Sequence, residues 1–295
     1  MSNPVTQLSE IETDALLKKV NQQLDLKTFD INDHQLIKQM VECMGDPRGL
    51  VRLGFAEALG VVGKPATPFL QEALAHHPNP VVRRAAAKTL NLIADPTAIP
   101  TLIDAVLKDD DVVVRGSAVG ALAQTGEASI PPLIDILASP ESTETIKGHA
   151  AWALAFIGTK AREQLYQAFN SDSAAVRAAV VGAIAKVAEE QREERALNLL
   201  INSLRDSASN VRSEAASALG NLAEQSAIPD LLELLQHQEG ESRKAAALAL
   251  MKIGDPSVLE LLQTALDQES EAAIQQIIKL AINQLEKKLE SDDWN

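Results

Sequence analysis

The stretch Val114-Arg115-Gly116-Ser117-Ala118-Val119-Gly120-Ala121-Leu122 is one copy of a unit that returns along most of the chain. Aligned on their basic residue, the copies are anchored at Arg52, Arg83, Arg115, Lys147, Arg177, Arg212 and Arg243. Successive anchors lie 31, 32, 32, 30, 35 and 31 residues apart. A β-branched residue precedes every anchor except the last, where Ser242 stands. Seven positions after the anchor comes Leu59, Leu90, Leu122, Leu154, Ile184, Leu219 or Leu250. Eleven positions after it comes a small residue: Gly63, Ala94, Gly126, Gly158, Ala188, Ala223 or Gly254. A unit this short cannot bury its apolar face alone. It has to stack on its neighbours, and an array that shares one continuous core follows.

Each unit reads as two helices. The first often opens near a proline (Pro68, Pro100, Pro131, Pro229), which is tolerated where helical N–H groups lack an intrahelical partner. A polar turn such as Lys108-Asp109-Asp110-Asp111 follows, and the second helix starts near the anchor. Positions −1, +3 or +4, +7 and +10 or +11 share one helical face and form the expected core. The anchor Arg is expected to lay its stem over that core and bind Asp or carbonyl groups of the turn before the next helix, with Asp95, Asp206 and Asp255 as candidate partners. Ahead of the array, Ser9 and Glu12 form a capping-box pattern and Asp33 is placed to cap a second helix. The step from Arg177 to Arg212 carries an insertion, Glu189 to Arg195, read as an extended helix end or a lengthened turn.

Composition narrows the function. The formal charge is −14 and no basic cluster occurs, which argues against nucleic acid and against an anionic membrane. No apolar run is long enough to span a bilayer, and no signal-peptide pattern opens the chain. Cys43 is the only cysteine, so an internal disulfide is excluded and a reducing, cytoplasmic setting is expected. There is no Gly-rich phosphate loop, no Gly-x-Ser-x-Gly and no His-Glu-x-x-His. No His precedes a Glu, so no metal site is expected and no catalytic residue is assigned.

The pattern Val-Arg-x-x-Ala-x-x-Ala-Leu-Gly-x-x-Gly resembles the HEAT-like repeat. Its short period, and Gly148-His149-Ala150-Ala151-Trp152-Ala153-Leu154, are similar to the repeats of the cyanobacterial phycobilin lyase family. The resemblance covers about residues 45–285. It implies an all-α fold, an α/α superhelix (HEAT-like solenoid) of about eight helical hairpins. The array would run over 45–289, after N-terminal helices over 1–44 and before a flexible acidic tail at 290–295. It also implies a protein of the phycobilisome that binds a phycobiliprotein subunit, a bilin of the phycocyanobilin type, or both, and assists chromophore attachment, removal or antenna assembly. A second HEAT-like subunit is a further implied partner. No tightly bound cofactor is implied, and any lyase activity would act by positioning the pigment. The alternative is a non-catalytic adaptor that joins one protein to another.

Position +5 of the second helix carries Glu57, Lys88, Gly120, Trp152, Gly182, Ser217 and Leu248 and is expected to face a concave surface. Trp152 stands out there. His149 and Phe156, three before and four after it, share its face, and Tyr166 and Phe169 follow in the next first helix. This cluster either presents a surface for a planar pigment or a partner's apolar anchor, or fills the core. The mid-helix glycines Gly116, Gly120, Gly148 and Gly182 mark either an approach to the backbone or tight helix packing. The candidate binding set is thus His149, Trp152, Phe156, Gly120, Gly182, Glu57 and Lys88.

Overall fold

The structure, a computed structural model, describes residues 8–292. Residues 1–7, the start of the expected N-terminal segment, and the last three residues of the expected tail lie outside them. Among the described residues there are seventeen α-helices and no strand. They are α1 (Glu10–Asp25), α2 (His34–Cys43), α3 (Gly49–Val62), α4 (Thr67–His76), α5 (Pro80–Ile93), α6 (Ile99–Lys108), α7 (Val112–Thr125), α8 (Ile130–Ala138) and α9 (Glu144–Ile157). There follow α10 (Arg162–Ala168), α11 (Ala174–Gln191), α12 (Glu194–Ser203), α13 (Ser209–Asn221), α14 (Ile228–Leu234), α15 (Gly240–Ile253), α16 (Leu259–Gln268) and α17 (Ala272–Asp292). After α1 the helices follow as eight consecutive pairs, with α2 packed on α3, α4 on α5, α6 on α7, α10 on α11, α12 on α13, α14 on α15 and α16 on α17, the all-α HEAT-like class read from the repeat.

The chain forms two compact units. One comprises the residues up to Ile136 with Pro140–Ala153, the other Leu137–Ser139 with the residues from Leu154 onward. In the first, second helices pack on second helices, α3 on α5 and α5 on α7, while α2 packs on α4 and α4 on α6. In the second, α11 packs on α13, α13 on α15 and α15 on α17. The +7 residue supplies the core in every copy, from Leu59 to Leu250, each fully buried or nearly so. Burying such a side chain contributes about 1.5–3 kcal/mol, which is what holds each hairpin to the next.

Helix ends follow local chemistry. Ser9 and Glu12 form a reciprocal capping box on α1, and Asp33 caps α2. Six of the seven +11 residues leave the helix at positive φ: Gly63, Ala94, Gly126, Gly158, Ala223 and Gly254. The left-handed conformation redirects the chain into the next hairpin. Ala188 is the exception. There α11 continues to Gln191 and Arg192 takes the left-handed turn at φ 48°. The insertion is therefore an extra helical turn.

The anchors fasten each polar turn to its neighbours. Arg83 grips Asp109 through Nε and Nη2 at 2.8 and 3.0 Å, while its Nη1 donates to the His77 carbonyl at 3.1 Å. The Asp109 carbonyl in turn accepts from Arg115 Nη1 at 2.6 Å. Arg177, Asp206 and Arg212 repeat the arrangement, and so do Arg243, Glu269 and Gln275, where Gln275 stands in for the anchor. Asp109, Asp206 and Glu269 also accept the backbone N–H two residues on, which shapes the turn. Of the three expected partners only Asp206 serves. Asp95 and Asp255 lie on the other turn of the hairpin, where they accept from the backbone N–H of Thr97 and Ser257. Arg212 is almost fully buried and also binds Ser242 and Glu239. Lys147 pairs with Glu144 at 3.7 Å.

A candidate binding face on the second helices

Residues +1, +5 and +9 after each anchor follow one another by a helical turn, on the side of the second helix opposite the buried +7 residue. Trp152 (+5) and Phe156 (+9) of α9 are 53% and 54% exposed. One unbroken helix carries both, so their one-turn spacing belongs to α9 itself. Of the two readings of Trp152, a core plug is excluded. Tyr166 goes the other way: it is 6% exposed, with Arg195 stacked 4.0 Å from its ring centroid, and burial followed by the nearby Glu193 pushes its phenol up to about 12. Phe169 is half-buried. His149 is partly buried, and its Nδ1 is buried without a hydrogen-bond partner among the described residues. Glu57 and Lys88 are exposed at the same +5 register on α3 and α5.

The glycines divide. A Cβ built at Gly116, Gly120 or Gly148 would meet nothing within 4 Å among the described residues, so internal packing does not require glycine there. Gly182 is different. The Glu214 carboxylate lies over it, with Oε1 2.8 Å from where a Cβ would stand. Glu214 as a residue is exposed, yet its carboxyl end lies against the backbone of α11, and desolvation there pushes its pKa up. It makes no hydrogen bond or ion pair with any described residue. Gly182 and Glu214 belong to a groove of about 950 Å³ between α11 and α13, whose rim carries Lys186, Glu189 and Arg192.

Charge at this register departs from that of the whole chain. Positions +1, +5 and +9 of the seven copies hold five cations (Arg84, Lys88, Lys186, Lys244, Lys252) and one acid, Glu57, although acids outnumber bases 41 to 27 overall. Sequence reasoning missed this because it searched for contiguous basic runs. Sorting the charges by repeat register would have found it.

Cys43 is buried, and burial pushes its thiol up to about 11, aided by Asp46 and Glu42, so it is a weak nucleophile. No group of three metal-ligating side chains occurs among the described residues. No helix among them is long and apolar enough to cross a membrane.

Stacked helical hairpins with anchored turns define a HEAT-repeat protein, and the HEAT repeats family matches residues 67–146, 130–211 and 197–283. The bilin biosynthesis protein MpeU of Synechococcus sp. (strain WH8020) is 37% identical over 281 residues, covering 95% of this chain and 95% of that protein. The chain belongs to the HEAT-repeat family of phycobilin lyase-like proteins that includes this bilin biosynthesis protein. Among solved structures, the karyopherin Kap121p bound to the extreme C-terminus of the protein phosphatase Cdc14p aligns at TM-score 0.59 and 13% identity, over 96% of this chain and 38% of that one. The complex of CpcE and CpcF of phycocyanin lyase from Nostoc sp. PCC7120 aligns more loosely, at TM-score 0.33 and 19% identity, over 84% of this chain and 94% of that one. HEAT repeats commonly present a face to other proteins, and a protein partner fits this class.

Proposed function

We propose that the protein binds a phycobiliprotein subunit, a bilin, or both, and assists chromophore attachment, removal or antenna assembly. The observation that carries this reading is Trp152, an indole exposed at a register where the other copies place polar or small residues or Leu248. An indole on a rigid helix offers a flat apolar platform to a conjugated pigment or to an apolar anchor of a partner. Phe156, one turn on, extends it, and His149 lies one turn before. The bare backbone at Gly120 lets a bound group approach α7 closely. Chemistry would come from orientation: the substrate protein supplies the thiol and this chain holds the pigment against it. The shielded Cys43 is consistent with a nucleophile that comes from elsewhere. A second HEAT-like subunit would complete such an assembly.

The test is capture of an apo-phycobiliprotein subunit, with and without phycocyanobilin, by the wild type and by Trp152→Ala and Phe156→Ala. Both variants should keep the wild-type melting temperature to within a few degrees, since neither side chain is core. Both should lose capture or chromophore transfer by about tenfold or more, as expected for an aromatic anchor. Unchanged capture and transfer would remove the aromatic pair from the function. An equally large loss of stability would mark the pair as structural.

A further inference from the structure

Three second helices of the first unit, α3, α5 and α7, carry a side that the stacking of the repeat does not account for. Positions −2, +1, +5 and +9 from an anchor share the side of the helix opposite the buried +7 residue. There Leu50, Leu53 and Val61 of α3, Leu92 of α5 and Val113 of α7 are all exposed, five of the fifteen large apolar side chains exposed among the described residues. α3 packs on α5 and α5 on α7. Leu92 leans on α3, with its Cδ1 3.3 Å from where a Cβ of Gly60 would stand. Exposed apolar side chains gathered on adjoining elements mark an interaction surface. The repeat does not demand them: at the same four positions α13 carries Asn210, Ser213, Ser217 and Asn221. Between the apolar ends of this side stand Arg84 and Lys88, one turn apart on α5. While the adjacent Arg83 takes Asp109 and Asp110, Arg84 and Lys88 make no hydrogen bond or ion pair with a described residue. Glu57 is the one acid at these positions of the three helices.

We propose that this side of α3, α5 and α7 docks an amphipathic helix of a partner protein, one whose apolar stripe is edged by carboxylates. The stripe covers the exposed leucines and valines, and the carboxylates meet Arg84 and Lys88. Positions −2 to +9 span about 16 Å, roughly three turns of such a helix. On α7 a Cβ at Gly116 or Gly120 would meet nothing within 4 Å among the described residues, so the partner's backbone can come close. The chain carries −14 overall and repels an acidic partner over most of its surface. Salt confines the attraction of the two cations to within about 10 Å, so they decide where the partner lands. The proposal goes beyond the reading above, which rests on Trp152 of α9. It requires neither a bilin nor a phycobiliprotein and shares only Gly120 with that reading.

The test titrates the full-length protein into a fluorescein-labelled helical peptide, designed with a leucine stripe edged by glutamates, and follows anisotropy. One control peptide has lysines in place of the glutamates, and another keeps the composition but scrambles the stripe. The acidic amphipathic peptide should bind about tenfold or more tightly than either control. Arg84→Ala/Lys88→Ala should weaken it by about tenfold and bring it level with the lysine control. Leu53→Ser/Leu92→Ser should weaken it by about tenfold or more. Far-ultraviolet melting checks that the serine variant folds, and Arg84→Ala/Lys88→Ala carries the test if it does not. Equal binding of the acidic and scrambled peptides, or no binding of the acidic peptide at about 100 μM, overturns the proposal. So does binding that Trp152→Ala abolishes and the α3 and α5 variants leave intact, a result that keeps the Trp152 reading standing. Anionic vesicles bound through Arg84 and Lys88 would assign the surface to lipid, and self-association lost in Leu53→Ser/Leu92→Ser would assign it to a second copy; either overturns the proposal. Peptide binding as expected, without capture of a phycobiliprotein subunit, supports the proposal and removes the reading above.

Discussion

Arg177 holds Asp206 through two parallel hydrogen bonds, both 2.8 Å, across 29 residues of sequence. The pair is mostly buried, and the Asp206 carbonyl passes the connection on to Arg212 at 2.6 Å. One side chain thus joins two consecutive turns, and the period of the repeat is set partly by the reach of a guanidinium. Asp206→Ala strands the Arg177 cation in a part-buried site and should destabilise the protein by about 2–4 kcal/mol, while replacing both residues by apolar ones should cost less. Urea denaturation of the single and double variants measures the difference.

The same pairs set the response to acid. Hydrogen bonds from Arg177 hold the Asp206 carboxyl below its usual range, and those from Arg243 do the same for Glu269, each against the opposing effect of burial. Because the folded pKa values lie below the unfolded ones, this stabilisation is complete at neutral pH. It is lost as pH falls from about 4 through the depressed folded values. Melting temperature should be flat between about pH 7 and 5 and decline below about 4, with a shallower decline in Arg177→Met/Asp206→Leu.

Two mid-helix glycines should respond oppositely to alanine. A Cβ added at Gly120 would meet nothing within 4 Å among the described residues beyond its own helix backbone, so Gly120→Ala should stabilise the helix by up to about 1 kcal/mol. At Gly220 an added Cβ would stand 2.9 Å from the Ala249 Cα of α15. The neighbouring helix must move, and Gly220→Ala should destabilise by about 1–3 kcal/mol. Thermal melts that shift in the same direction for both would contradict this account of their surroundings.

Ala94 and Ala223 sit at φ 52° and 51°, where a Cβ is disfavoured. Ala94→Gly and Ala223→Gly should therefore stabilise by about 0.5–1 kcal/mol, less the extra freedom glycine gives the unfolded chain. Chemical denaturation of the two single variants checks it, and a loss of stability would show that the unfolded chain dominates.

Cys43 should resist modification. With the thiol pushed up to about 11 and the residue buried, an aromatic disulfide reagent at pH 8 should react with it only on the time scale of local opening. Rapid stoichiometric reaction of the folded protein would show that the thiol is reachable.

The hairpins, the burial of the +7 leucines, the small residue at +11 and the Ser9 and Asp33 caps could be read directly, because each depends on residues within one or two turns of one another. The repeat then carried the local pattern through the whole array. Sequence alone leaves Trp152 open between surface and core, since helical register does not say how closely the next hairpin approaches. Three decisions needed the tertiary structure. The anchors choose Asp109 and Glu269 over Asp95 and Asp255, because turns at opposite ends of the hairpin hold equally suitable carboxylates and only packing brings one set within reach. Gly182 is covered by Glu214 while Gly120 is left bare, because the neighbour over a helix belongs to the next repeat. The added turn of α11 brings Arg192 to a groove whose other wall is α13. Helix content and stacking follow from short-range periodicity, whereas the occupancy of the space between helices depends on packing across about thirty residues of chain, which periodicity does not encode.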